Sequence, residues 1–148
     1  MAITEPYSMK WASSATEIDP VQIRDWHSRS YLYAVRKSEG QGKANLFSRQ
    51  NLFQIKLFSA ITKTGLSRDD ASKICKEFKT YSSKTPILGI FREGENSRVA
   101  WVTKKQAQEA VTLKELDSVV IINVSKIVAD IIKKLDKIKV MPARVIIS

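Results

Sequence analysis

Cysteine and histidine are nearly missing from this chain: Cys75 and His27 stand alone among 148 residues. One thiol excludes an internal disulfide and any multi-thiolate metal site, and His27 has no acid or cysteine at ligand spacing. Long apolar runs are missing too. The longest, Val-Val-Ile-Ile at 119–122, falls far short of the roughly 20 residues that cross a bilayer. The first ten residues hold no apolar run that would read as a secretory signal. We therefore expect a soluble, cytoplasmic protein with no membrane partner. Five glycines and four prolines are too few for a low-complexity or disordered chain, and no internal repeat is visible. Acids are scarce, 15 against 25 bases, and scattered. Their one cluster, Asp69-Asp70, sits where helix capping explains it. Without a convergent set of acids, bases or metal ligands, the chain reads as no enzyme, with no catalytic residue, cofactor or metal.

What is present is an apolar share of 43%, ample for a core, and a net charge of +10. The length suits one ordinary domain or two very small ones. A basic balance makes an anionic partner the first to consider. The excess is uneven. Residues 24–63 carry eight bases against two acids, whereas residues 86–148 carry eleven against seven. The positive charge is thus concentrated in the first half.

Local signals divide that half into short helices. Residues 8–15 form an Ala/Ser-rich helix, residues 16–18 a turn held to the core by Ile18, and Asp19-Pro20 the start of a second helix. Asp is a favoured N-cap, and Pro at the first helical position loses only an N–H that has no partner there anyway. Ile23 and Trp26 share a buried stripe of this helix and leave Gln22, Arg24 and Arg29 outward. Residues 31–35 are β-prone, residues 36–43 carry two glycines among charges, and Leu46-Phe47 return to apolar character, which predicts a hairpin with a charged tip. Ser48 caps a helix over 49–64 whose broad apolar face predicts burial against two neighbours. Gly65 ends it in a left-handed conformation, and Ser67 opens another helix with capping-box spacing. In that helix Ala71, Ile74, Cys75 and Phe78 make one stripe, with Cys75 a small buried hydrophobe.

After a linker over 80–86 the pattern changes. Residues 87–91 and 99–102, joined by a turn at 93–96, predict a β-hairpin. Residues 104–116 are part helix, and residues 119–122 a buried strand or a helix start. Residues 125–139 are amphipathic, and the tail over 140–148 is β-prone around Val145. Val124, Val128, Ile131, Leu135 and Ile138 follow the 4, 3, 4, 3 spacing of a coiled coil. Two uses of that stripe stay open: packing within one chain, or a dimer seam.

From Tyr7 the run Tyr-Ser-Met-Lys-Trp-Ala-Ser-Ser-Ala-Thr-Glu-Ile-Asp-Pro-Val-Gln-Ile-Arg-Asp-Trp resembles, without a gap, the winged helix-turn-helix of the MerR family of bacterial or phage transcription regulators. The family pattern runs Y-T-I-G-E-L-A-x-x-T-G-V-S-P-x-T-L-R-Y-Y. Gly42-Lys43-Ala44-Asn45-Leu46-Phe47-Ser48 is similar to the wing signature G-x-x-R-x-Y-S, Asn51-Leu52 to the D-L that follows, and Gly65-Leu66-Ser67 to the family's G-[FL]-S. The resemblance covers about half the chain. It implies a recognition helix carrying Val21, Gln22 and Arg24, and it puts the wing arginine at Asn45 and the wing tyrosine at Phe47; Arg29, Arg36, Lys37 and Lys43 are expected as further DNA contacts on their charge. It also implies homodimerisation through a C-terminal helix, here the stripe from Val124 to Ile138, with room for an unidentified small-molecule effector. The chain departs from the pattern where Glu17 replaces the turn glycine, Asp25-Trp26 a Tyr-Tyr pair, and Asn45 the wing arginine.

The expectation is therefore an α+β protein: a winged helix-turn-helix over 1–79, a linker over 80–86, and a small α+β dimerisation or effector domain over 87–148. Its expected role is transcriptional regulation through double-stranded DNA. An architectural or excisionase-like DNA binder without effector sensing is the alternative.

Overall fold

The computed structural model describes residues 6–32, 46–77 and 87–147, the last ten of these by backbone course only. The described residues form an α+β fold of six helices and a three-stranded antiparallel sheet. They belong to two compact units: Met1–Lys79 with Val128–Ser148, and Thr80–Ile127. The C-terminal helix, taken in sequence as part of residues 87–148, thus lies with the first unit from Val128 onward. The expected linker over 80–86 falls outside the described residues.

In the first unit, α1 (Met9–Thr16) and α2 (Pro20–Ser28) follow each other after a three-residue turn. The Ser8 side chain accepts from the Trp11 N–H to start α1, and Asp19 Oδ1 accepts from the Val21 N–H at 2.8 Å to start α2. Glu17, in place of glycine, adopts φ 59°, and its N–H closes α1 on the Ser13 carbonyl. The left-handed turn is therefore kept without the residue that favours it. At the other end of α2, Tyr31 N–H donates to the Trp26 carbonyl and Ser30 N–H to the His27 carbonyl, both at 3.0 Å. With Ser30 at φ 62°, this is a Schellman ending that carries serine where glycine is usual.

The helix α3 (Arg49–Thr62) opens with a reciprocal capping box between Ser48 and Asn51. Leu52, Ile55, Leu57, Phe58 and Ile61 are fully buried. Because these positions surround most of the helix, α3 packs against both α1 and α4 (Arg68–Glu77). Gly65 has φ 96°, as its place between the helices predicts. In α4, Ala71 and Cys75 are fully buried and Ile74 half-buried; Phe78 lies outside the described residues. Phe47 exchanges both backbone hydrogen bonds with Tyr7, an isolated antiparallel bridge between two fully buried rings. Tyr31 and Leu32 form a bend rather than the start of a strand: the carbonyl of Tyr31 is taken by Ser72 Oγ at 2.6 Å, and its ring stacks on Phe58. Residues 33–45, most of the expected wing, lie outside the described residues.

In the second unit, β1 (Ile87–Glu93) is the central strand, paired antiparallel with β2 (Asn96–Val102) and β3 (Ser118–Asn123). The β1–β2 turn is Gly94-Glu95, with Gly94 at φ 59°, a positive angle that suits the first position of a two-residue hairpin loop. Asp117 braces this turn by accepting from the Gly94 N–H at 2.6 Å. Between β2 and β3, α5 (Lys104–Ala110) starts with a second capping box, Thr103 with Gln106, and buries Ala107 and Ala110. Residues 119–122 are strand, but only Ile122 is fully buried there. A sheet edge with one covered face produces that alternation.

The last helix, α6, runs Val124–Ile147. The tail expected to be β-prone is helical instead. Extending an existing helix adds a hydrogen bond per residue without a new nucleus, which outweighs a weak β preference. Val124, Val128, Ile131 and Leu135 are all buried within the single chain. The spacing of the stripe is therefore accounted for by intramolecular packing; the side chain of Ile138 lies outside the described residues.

Candidate nucleic-acid interface

The face that α2 turns to solvent is set by what it buries. Ile23, Trp26 and His27 point inward. Trp26 meets Phe58 edge-on at 4.8 Å, and His27 meets Phe47 edge-on at 5.1 Å. His27 Nδ1 lies 2.9 Å from the Ile23 carbonyl. A carbonyl only accepts, so this nitrogen carries the proton, and His27 is a packing residue rather than a ligand. With three positions fixed inward, helical spacing leaves Val21, Arg24, Asp25 and Ser28 as the outer stripe. Val21, Arg24 and Ser28 are exposed, and Asp25 and Gln22 are partly so.

Residues 19–29 carry four charges, and three are already engaged. The Asp19 carboxylate caps its own helix. Arg29 Nε donates to Asp25 Oδ1 at 2.9 Å, an i,i+4 pair on the surface. That hydrogen bond, with the charge behind it, raises the Arg29 pKa. It also offsets the Asp25 carboxylate on the outer side of α2. Arg24 is the charge left over: it is exposed, and no partner for it exists among the described residues. Arg29 keeps its remaining guanidinium N–H groups outward but presents little net charge together with Asp25. Arg36, Lys37, Lys43 and Asn45 lie outside the described residues.

One base of the positive half has turned inward. Lys56 Nζ donates to the Thr16 carbonyl at 2.9 Å, satisfying an orphan acceptor at the end of α1. Burial lowers its pKa, and the like charge of Lys134 lowers it further. Lys134 in turn bonds Glu17 Oε1 at 2.8 Å, and that hydrogen bond holds the Glu17 carboxyl below its ordinary value. The α1–α2 turn is thus tied at one point to α3 and at another to α6. Sequence spacing could not reveal either tie, since each joins residues far apart along the chain.

Two other cations lie beside α2. Lys63 and Arg68, at the end of α3 and the start of α4, line an open groove together with Gln22 and Trp26. Lys10 is exposed on α1, with its ammonium 5.2 Å from the centre of the half-buried Trp11 ring. Arg68 is not singled out by the local pattern, because only the packing of α3 and α4 decides which side faces α2. Cys75 is buried, and burial raises its thiol pKa, so it stays a thiol and packs as a small apolar group. Among the described residues no group of three or more acids, cysteines or histidines could hold a metal ion, and no helix is long and apolar enough to cross a membrane.

The second unit has its own open groove of about 610 Å³, lined by Phe91, Val102, Ala110, Leu113 and Leu116 with Arg98 at its polar side. No protein-family model matches this chain, and none of the curated proteins compared with it is recognisably similar.

Proposed function

We propose that the chain is a DNA-binding transcriptional regulator whose first unit is a divergent, MerR-like winged helix-turn-helix. The observation that carries this reading is the outer stripe of α2, where an exposed Arg24, without a partner among the described residues, stands beside Val21 on a helix braced from behind by Trp26 and Phe58. An α-helix fits the major groove of B-DNA, and a rigid support is what a reading helix requires. Exposed bases such as Lys63 and Arg68 displace counterions from the backbone and supply affinity that depends on salt.

Regulation rather than architecture is favoured by the second unit. Its groove falls in the size range of small-ligand sites, about 300–1,000 Å³, whereas a purely architectural or excisionase-like factor needs no such cavity. Action as a homodimer on two half-sites is part of the proposal. The burial of Val124, Val128, Ile131 and Leu135 within one chain favours a dimer contact away from these four residues.

Footprinting on genomic fragments, with affinity followed against salt, tests the reading. The expected result is a protected palindromic site and a log–log salt slope of several units. Absence of protection on every fragment would remove the DNA-binding reading, and a monomer bound to a single half-site would remove the dimer alone.

A further inference from the structure

We propose that Val21 is a specificity-determining residue that reads the 5-methyl group of a thymine in the major groove. The inference rests on the DNA-binding reading of α2 and adds to it the identity of one base.

Val21 is 67% exposed, the most exposed large apolar side chain among the described residues. A single exposed valine is ordinary; its place is what gives this one meaning. It is the second residue of α2 and begins the outer stripe that continues through Arg24. Its backbone is fixed by the hydrogen bond from its N–H to Asp19 Oδ1, and a β-branched side chain in a helix holds largely to one rotamer. The two methyl groups are therefore presented at a defined position with little entropy left to lose.

The neighbours limit what this end of the helix can contact. The Asp19 carboxylate that caps the start of α2 repels a backbone phosphate from that end, which favours a base edge over a phosphate as the contact of Val21. In the major groove the only apolar group on a base edge is the thymine methyl. A valine there gains nothing from guanine, adenine or cytosine. Arg24 lies one helical turn on, about 4.5 Å along the axis, which corresponds to between one and two base steps of about 3.4 Å. The thymine is thus expected within two base pairs of whatever Arg24 touches.

The test uses the full-length chain and a DNA duplex enriched by that chain from a randomised pool. Each thymine of the enriched duplex is replaced in turn by deoxyuridine, which lacks only the methyl. The wild-type protein should lose about fourfold in affinity at one thymine per half-site, the worth of one buried methyl, and nothing elsewhere. Val21→Ala should bind the thymine duplex several-fold more weakly and be indifferent to deoxyuridine at that same position. Val21→Thr, which keeps the shape and one of the two methyls, should keep part of the uracil effect and guards against a folding effect. Indifference of the wild type at every thymine overturns the proposal, as does a uracil effect that is undiminished in Val21→Ala. If the pool yields no enriched duplex, the DNA-binding reading falls, and this inference falls with it. An enriched, salt-sensitive duplex that is insensitive to methyl removal leaves DNA binding standing and removes Val21 as the reader.

Discussion

Replacing Ser30 with glycine should make this protein more stable, although it deletes a hydroxyl and adds chain freedom. Ser30 holds φ 62° because it closes α2: its N–H reaches the His27 carbonyl, and the next N–H reaches that of Trp26. A left-handed conformation costs an L-residue with a Cβ about 1–2 kcal/mol, a cost that glycine does not carry. Against this stands the greater freedom of glycine in the unfolded chain, about 0.5–1 kcal/mol. The other contacts survive, since the Lys76 ammonium donates to the backbone carbonyl of Ser30 at 2.8 Å, not to its side chain. The balance is a gain of about 0.5–1 kcal/mol, or roughly 1–4 °C in Tm for a chain of this size. Ser30→Val should move the other way, because β-branching is least tolerated at positive φ. Thermal melts and urea titrations with unchanged m-values would measure both. A lower Tm for Ser30→Gly, or no penalty for Ser30→Val, would refute the left-handed ending of α2 and the fixed exit of the chain that follows from it.

Arg24→Ala should lower duplex affinity at least about fivefold and leave Tm within a degree or two, since the side chain is exposed and has no partner to lose among the described residues; gel-shift titrations beside a thermal melt check both halves. Lys56→Met should expose the pH signature of an inward base. The pKa of Lys56 lies below 10.5 in the fold, so the stability it contributes is fully present above 10.5 and is lost as pH falls through the lower folded value. Wild type should therefore gain on the methionine variant as pH rises into that window, as read by chemical denaturation at fixed salt. Gly89→Ala should destabilise the second unit by roughly 1–3 kcal/mol, because a Cβ there overlaps the Phe91 ring folded back across the strand. Adding Phe91→Leu should recover part of the loss in a double-mutant melt.

The parts of the fold that sequence made visible are those decided within a few residues. Asp19-Pro20, Ser48 with Asn51, and Gly65 mark helix ends through hydrogen bonds or backbone angles that need no distant partner, and each holds its expected place. Of the outer stripe of α2, the inner pair Ile23 and Trp26 makes Arg24 legible, whereas Gln22, also expected outward, is only partly exposed, and Val21 and Ser28 take the exposed places. What escaped is what distance decides. Lys56 counted as surface charge because nothing near it in sequence shows that α1 ends above it. The α6 stripe has the same spacing whether it meets its own chain or another, so the pattern alone could not choose between seam and core. The helical tail misled because β preference describes how a side chain fits a sheet, whereas the tail continues a helix already formed.

The division of the chain has a consequence for how the protein is born. The first unit is discontinuous: residues 80–127 interrupt it, and α6 from Val128 supplies its last element. During synthesis the N-terminal helices therefore emerge without Val128, Ile131 and Leu135, the buried side chains that complete their unit. The intervening unit has the chance to fold first, and the earliest segment made is among the last to be finished. A fragment ending at residue 79 is accordingly no minimal head but an open one, and a peptide covering residues 124–148 should restore it when added in trans.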